Sequence, residues 1–295
     1  MRTLVKLLTF SSNNVILIFS RAGKYEILDC KTKIWYYFNM VLLLDIGNTN
    51  IKIGVLENGK IVTTWRIASD HNKTADEFGM VFMDLMSSKG YTFDMVEGII
   101  ISSVAPALNY TIEHMCRYYT HKKPIMVTSS INLGIKLKYT VPEELGADRI
   151  VNAVGAYYEY GGPCVTVDFG SATSFGFIDG EGNFLGGAIA PGIKSSAEAL
   201  TNTAAKLPRI ELVRPKSIIG KTTVQNMQAG IIYGFQGLVD GIITEMIAES
   251  GLKDVKVVAT GGMSELVAGG NRVKFDIVDR ALSLKGLRKI YEFNK

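Results

Sequence analysis

Only three cysteines (Cys30, Cys116, Cys164) and three histidines (His71, His114, His121) occur in 295 residues. Cysteines odd in number and widely spaced encode no disulfide framework and no CxxC site, and no HExxH or other paired spacing of histidines provides for zinc. So few thiols suit a reducing compartment, and a cytoplasmic location is expected. A strong charge of one sign is also missing: 32 Lys and Arg stand against 28 Asp and Glu. The imbalance lies within residues 1–39, which hold six basic and two acidic residues, so the rest of the chain is neutral by count. Neither a nucleic acid nor a membrane is therefore expected as partner. The leading apolar run, Val15 to Phe19, is far too short to cross a bilayer. What is present, 47% hydrophobic and 20% charged residues, is ordinary for a globular protein, and the length suggests two domains.

Residues 1–39 differ from the remainder, with seven of the 28 aromatics and one of the 30 glycines. As a secretory signal they fail, because Ser11 to Asn14 splits the apolar stretch and no small-residue cleavage site follows. Met40 directly precedes a strong strand and looks like a natural start. The segment is expected to be a non-native upstream extension, with an appended structured segment as the alternative. The expected domains are then 40–150 and 151–295.

From Met40 the chain reads as strand, polar turn, strand, turn, strand: Val41 to Leu44, then Asp45-Ile46-Gly47-Asn48-Thr49-Asn50, Ile51 to Leu56, Asn58-Gly59, and Ile61 to Ile67. No helix follows the first turn, as a Walker A loop or a GxGxxG fingerprint would require. The same grammar returns 123 residues later, with Val165 to Val167, Asp168-Phe169-Gly170-Ser171-Ala172-Thr173, Ser174 to Ile178, a turn over Asp179 to Asn183, and a strand through Ile189. Helices are predicted over Thr74 to Ser88, Leu108 to Tyr119, Asp148 to Tyr160, Lys194 to Ala205 and Thr223 to Glu249. Further strands are predicted over Gly98 to Ser103 and Val255 to Ala259, the latter ending in Thr260-Gly261-Gly262. Two repeated halves of mixed strands and helices make the fold α/β.

Turns of glycine with Asn, Thr or Ser bring backbone N–H groups close to an anion, and suit phosphate. An Asp in such a turn repels a bare phosphate, so a cation such as Mg²⁺ between the two would explain it. Lys52, on the same hairpin as Asp45, could add positive charge. A strand-ending Asp that merely caps a turn is the plain alternative for Asp45 and Asp168. Two matching copies and a third glycine turn favour a nucleotide site.

The motifs DIGNTNIK (Asp45 to Lys52), GADR (Gly146 to Arg149), DFGSAT (Asp168 to Thr173), GGAIAPG (Gly186 to Gly192), AKLPR (Ala205 to Arg209) and ATGG (Ala259 to Gly262) together resemble type III pantothenate kinases over residues 40–295. The resemblance implies two duplicated actin-like, ribonuclease H-like domains with the active site in the cleft between them, a homodimer, and ATP-dependent phosphorylation of pantothenate to 4'-phosphopantothenate, the first step of coenzyme A synthesis. It implies that Asp45, Ile46, Gly47, Asn48, Thr49, Asn50, Ile51, Lys52 and Ser171 bind ATP, supplied with Mg²⁺. Asp148 becomes the catalytic base. Gly146, Ala147, Asp148, Arg149, Tyr139 and Thr223 become contacts to pantothenate, and Asp168 a ligand for a monovalent cation, K⁺ or NH₄⁺. Ser171 and Ser174 stand where the family usually has Thr, and both keep the hydroxyl.

Asp148 makes physical sense as a base, since the start of a helix favours an ionised carboxylate that orients an alcohol and takes its proton late. A plain first-turn Asp is the alternative, and for Arg149 a solvated helix residue, against a bidentate contact to the substrate's carboxylate. Two other functions compete: a kinase for another acceptor such as a sugar or acetate, and a nucleotide-binding regulator without catalysis. GADR argues against the first, and the presence of Asp45, Asp148 and Asp168 against the second.

Overall fold

The computed structural model describes the backbone of residues 5–9, 15–21, 24–29, 32–37 and 40–295, and side chains from Met40 onward. Strands β1 (Val5–Thr9), β2 (Val15–Arg21), β3 (Lys24–Asp29) and β4 (Thr32–Tyr37) form an antiparallel sheet in sequential order. Whether residues 1–39 are an extension to the protein rests partly on positions outside the described residues.

The chain divides into two units, residues 1–101 with 105–126, and 102–104 with 127–295. In the first, Met40 to Ile46 form β5, buried at every position, as expected of a continuous apolar run covered on both faces. It pairs with β6 (Asn50–Glu57), which turns at Asn58-Gly59 into β7 (Lys60–Ala68). With β8 (Val96–Ser103) and β9 (Ile125–Met126) the sheet order is β7-β6-β5-β8-β9. Helix α1 (Ala75–Ser87) starts at a capping box, the Thr74 hydroxyl accepting from the Glu77 N–H and the Glu77 carboxylate from the Thr74 N–H. It and α2 (Pro106–Thr120) bury Phe78, Phe82, Met86, Leu108, Ile112 and Met115 with the apolar side chains of β5 and β6.

The second unit repeats the plan. Strands β11 (Cys164–Phe169), β12 (Ala172–Ile178), β13 (Asn183–Pro191), β14 (Lys256–Thr260) and β15 (Ile277–Val278), with β10 (Lys136–Leu137) at the edge, give the order β10-β13-β12-β11-β14-β15. Leaving out β10, each sheet has its third, second, first, fourth and fifth strands in that sequence, the duplicated ribonuclease H-like arrangement. Alternation along β11 sends Val165, Val167 and Phe169 to one face, where they meet Ile232, Phe235, Val239 and Ile243 of α5 (Thr223–Ser250). Helix α5 is long and apolar enough to span a bilayer by composition alone, and these side chains pack one of its faces onto the sheet of this unit. On the opposite face α3 (Ala147–Tyr160) packs on β11 and β12, with α7 (Leu282–Asn294) against it. Helix α4 (Ile193–Thr203) follows β13, and short α6 (Ser264–Ala268) follows β14. The chain passes between the units at 101/102, 104/105 and 126/127, and residue 150, where the sequence placed the boundary, falls inside α3.

Candidate active site

In the first hairpin Asp45 and Lys52 are direct cross-strand partners, with Nζ 3.2 Å from Oδ2. Asp45 is buried, and the positive charge expected at Lys52 is engaged with its carboxylate. The turn closes through the Gly47 N–H, which donates to the Asn50 carbonyl at 3.0 Å. Ser69, directly after β7, clamps it, its hydroxyl donating to the Gly47 carbonyl at 2.5 Å and its N–H to the Thr49 carbonyl at 3.0 Å. Asn48, Thr49 and Asn50 are left exposed, whereas the side chains of Ile46 and Ile51 are in the core, so those two can face a nucleotide only through their backbone.

The second hairpin is one residue tighter. Asp168 pairs with Ser174 six positions on, whereas Asp45 pairs with Lys52 seven positions on. A serine thus takes the place of the lysine. On its other side Asp168 is in register with Thr260 of β14. The amide of Asn152 donates to Asp168 Oδ2 at 2.9 Å. Gly261, with φ of 94°, lies so close to Asp168 that a Cβ would stand 2.5 Å from Oδ1, which brings the third glycine turn onto the second. Ser171 is exposed at the tip, and Gly192 packs beneath the Gly170 and Ser171 carbonyls with no room for a side chain. Gly192 caps α4, and Ser195 in its first turn donates to the Ser171 carbonyl at 3.0 Å. The positive end of α4 therefore adjoins the Ser171 turn, an arrangement suited to phosphate.

Gly146 caps α3, and a Cβ there would stand 2.6 Å from Asp148 Oδ1. That oxygen accepts the Arg149 N–H at 2.8 Å, which fixes the carboxylate in the first helical turn. Arg149 is not the solvated helix residue that sequence allowed: it is 9% exposed, with its guanidinium 5.8 Å from the Tyr139 ring and 5.5 Å from the Phe184 ring. Its Nε and Nη2 are buried and make no hydrogen bond. Gly187 leaves the space that the guanidinium fills. Asp148, Arg149 and Tyr139 thus come together, while Thr223 is exposed at the start of α5. Asn152 and Phe184 were not singled out from sequence. An Asn four residues after Asp148, in an otherwise apolar stretch, was the available signal for the first.

Among the described residues no group of three His, Cys, Asp or Glu side chains could hold a metal. A cavity of about 420 Å³ lies along α4, lined by Ala197, Glu198, Thr201, Asn202, Arg209 and Ile210. None of the residues assigned to the site lines it.

The sequence profile of type III pantothenate kinases matches residues 41–245. A type III pantothenate kinase of Brevibacillus brevis is 49% identical over 256 residues, covering 87% of this chain and all of that protein. Another, of Bacillus cytotoxicus, is 48% identical over 255 residues, covering 86% of this chain and 97% of its own length. Two solved structures share the fold at low identity. One is described as a Baf family transcriptional activator from Campylobacter jejuni, with TM-score 0.54, 21% identity, and 86% and 98% of the two chains covered. The other is the activator of 2-hydroxyisocaproyl-CoA dehydratase from Clostridium difficile, with TM-score 0.52, 16% identity, and 86% and 94% covered. With a profile match over most of its length and near-half identity to relatives across nearly all of theirs, this chain belongs to the type III pantothenate kinase family.

Proposed function

We propose that the chain transfers the γ-phosphoryl group of ATP to the primary hydroxyl of pantothenate, forming 4'-phosphopantothenate in coenzyme A biosynthesis. One observation carries the choice of acceptor: Arg149 is a buried guanidinium with two nitrogens lacking acceptors, one residue from Asp148. A buried cation of this kind calls for an anion, and pantothenate supplies a carboxylate that a sugar lacks. Asp148, fixed in the first turn of α3 by the Arg149 N–H, orients the attacking hydroxyl and accepts its proton as the bond to phosphorus forms. Within the second unit, the Ser171 turn with the start of α4 beside it is suited to the nucleotide's phosphates.

Mg²⁺ accompanies ATP in this reading and supplies charge neutralisation at the β- and γ-phosphates. The surroundings of Asp168 fit a monovalent cation. Beside its carboxylate, in register on the neighbouring strand, Thr260 Oγ1 is a buried oxygen without a hydrogen-bond partner, and such an oxygen suits a hard cation. A homodimer is part of the same reading. Gly230, Gly234, Gly237 and Gly241 lie along one exposed face of α5 with open space before each, which permits close approach of a second copy. Cys116 and Cys164 are buried thiols, both pushed up to about 12 by burial, and suit the reducing cytoplasm.

The acceptor is tested by comparing pantothenate with its alcohol analogue, in which the carboxylate is replaced by a hydroxymethyl group. Arg149→Met should raise KM for pantothenate by about tenfold or more while leaving the alcohol's KM nearly unchanged. Equal effects on both would remove Arg149 from carboxylate recognition.

A further inference from the structure

Asn152 stands in the middle of α3 between Val151, Ala153 and Val154, all buried, and is itself 2% exposed. An apolar residue would suit that position better on both helix propensity and burial. The amide is also only half satisfied, since Nδ2 donates to Asp168 Oδ2 at 2.9 Å while Oδ1 is buried without a partner. A half-satisfied polar group in a packed interior is a cost to stability, so its use lies elsewhere.

The bond has a directional consequence. The terminal torsion of an Asp side chain is broad, so an unheld carboxylate samples many orientations. With Oδ2 on Asn152, the other oxygen is turned toward the glycine turns: a Cβ on Gly261 would stand 2.5 Å from Oδ1 and one on Gly170 3.8 Å from it. Asn152 also follows Asp148 by four residues, which puts both on one face of α3. The helix that bears the base therefore supplies one of the bonds that orient the acid in the second phosphate turn.

We propose that Asn152 is a positioning residue for phosphoryl transfer, acting through Asp168 to keep its carboxylate aimed at the Gly170 and Gly261 turns. The inference rests on the kinase reading above, in which Asp168 serves the nucleotide side of the site.

A double-mutant cycle tests it, with wild type, Asn152→Leu, Asp168→Ala and the double variant compared in turnover, in ATP and pantothenate affinity by calorimetry, and in Tm. Asn152→Leu should lower kcat/KM for ATP by about tenfold to a hundredfold, as misplacement of a reacting constellation does. Pantothenate affinity should stay within about twofold, and Tm should not fall. In the Asp168→Ala background the same substitution should change ATP affinity little, because the group through which it acts is gone. Equal proportional losses in both backgrounds, or unchanged ATP kinetics in Asn152→Leu, overturn the proposal. Full activity in Asp168→Ala alone overturns the role of Asp168 and this inference with it, so the two failures are distinct. Should Asn152→Leu fail to fold, Asn152→Ala, smaller and unable to donate, takes its place in the cycle with the same expectations for ATP.

Discussion

Gly286 of α7 rests directly on the carbonyl of Val151 in α3, with no room for a Cβ between them. The contact is mutual, for a Cβ on Gly155 of α3 would stand 2.5 Å from the Leu282 carbonyl. Two glycines thus let α7 press against the helix that carries Asp148, Arg149 and Asn152. Gly286→Ala must push the helices apart and should cost about 1–3 kcal/mol, the range for overpacking. Thermal melting checks the loss, and a variant that melts with wild type would contradict the close approach.

Turnover should fall by about 10²-fold or more in Asp148→Asn, which keeps the shape of the base and loses proton acceptance. Tm and ATP affinity should be retained, since the substitution alters one carboxylate at a helix start. Near wild-type turnover would take Asp148 out of the mechanism.

A second network ties α3 to α7 with a defined pH signature. Tyr160 donates to Asp279 Oδ2 at 2.8 Å, and Lys285 Nζ lies 2.8 Å from the same oxygen. Burial pushes the Asp279 carboxyl up, but the bonds from Lys285 and Tyr160 outweigh it and hold the group below its usual 3.8. Burial likewise pushes Lys285 down, and its bonds to Asp279 and Tyr160 outweigh that, holding it above its usual 10.5. The Asp279 contribution is therefore present above 3.8 and lost as pH falls through its lower folded value. That of Lys285 is present below 10.5 and lost as pH rises through its higher folded value. Lys285→Met should lower Tm by a constant amount across neutral pH, and the gap to wild type should narrow on acidification below 3.8. Melting curves taken over that range decide, and a gap that widens in acid would refute the assignment.

Rates in potassium and sodium, at matched ionic strength with fixed Mg²⁺ and ATP, test the ion proposed at Asp168. Potassium or ammonium should support activity that sodium does not, and Asp168→Ala should abolish the difference. Equal rates in the two salts would leave Asp168 as a turn residue only.

Much of this architecture was legible because local chemistry and tertiary structure agree. The Asn58-Gly59 turn, the Thr74 cap with Glu77 and the periodicity of α5 each specify their element locally. Helix α7 was not foreseen, for its apolar positions Leu282, Leu284, Leu287 and Ile290 are interrupted by Gly286, a poor helix residue retained for packing against α3. At the site, motif spacing marked Asp45, Asp148 and Asp168. It could not reveal that Arg149 is enclosed by Tyr139 and Phe184, because those rings arrive from β13 and the segment after β10. Nor could it pair Lys52 with Asp45, which depends on how many residues the turn between them takes up.

That turn length also separates two halves built on one plan. Eight residues run from Asp45 to its partner Lys52, and seven from Asp168 to Ser174. Side chains alternate along a strand, so grafting the longer segment into the second hairpin would slide β12 by one position and turn its inward residues outward. Phe175 and Phe177 would leave the core, and Ser174 would no longer stand beside Asp168. The halves keep a common frame but have ceased to be interchangeable parts, and each turn can now be altered only within the register of its own sheet.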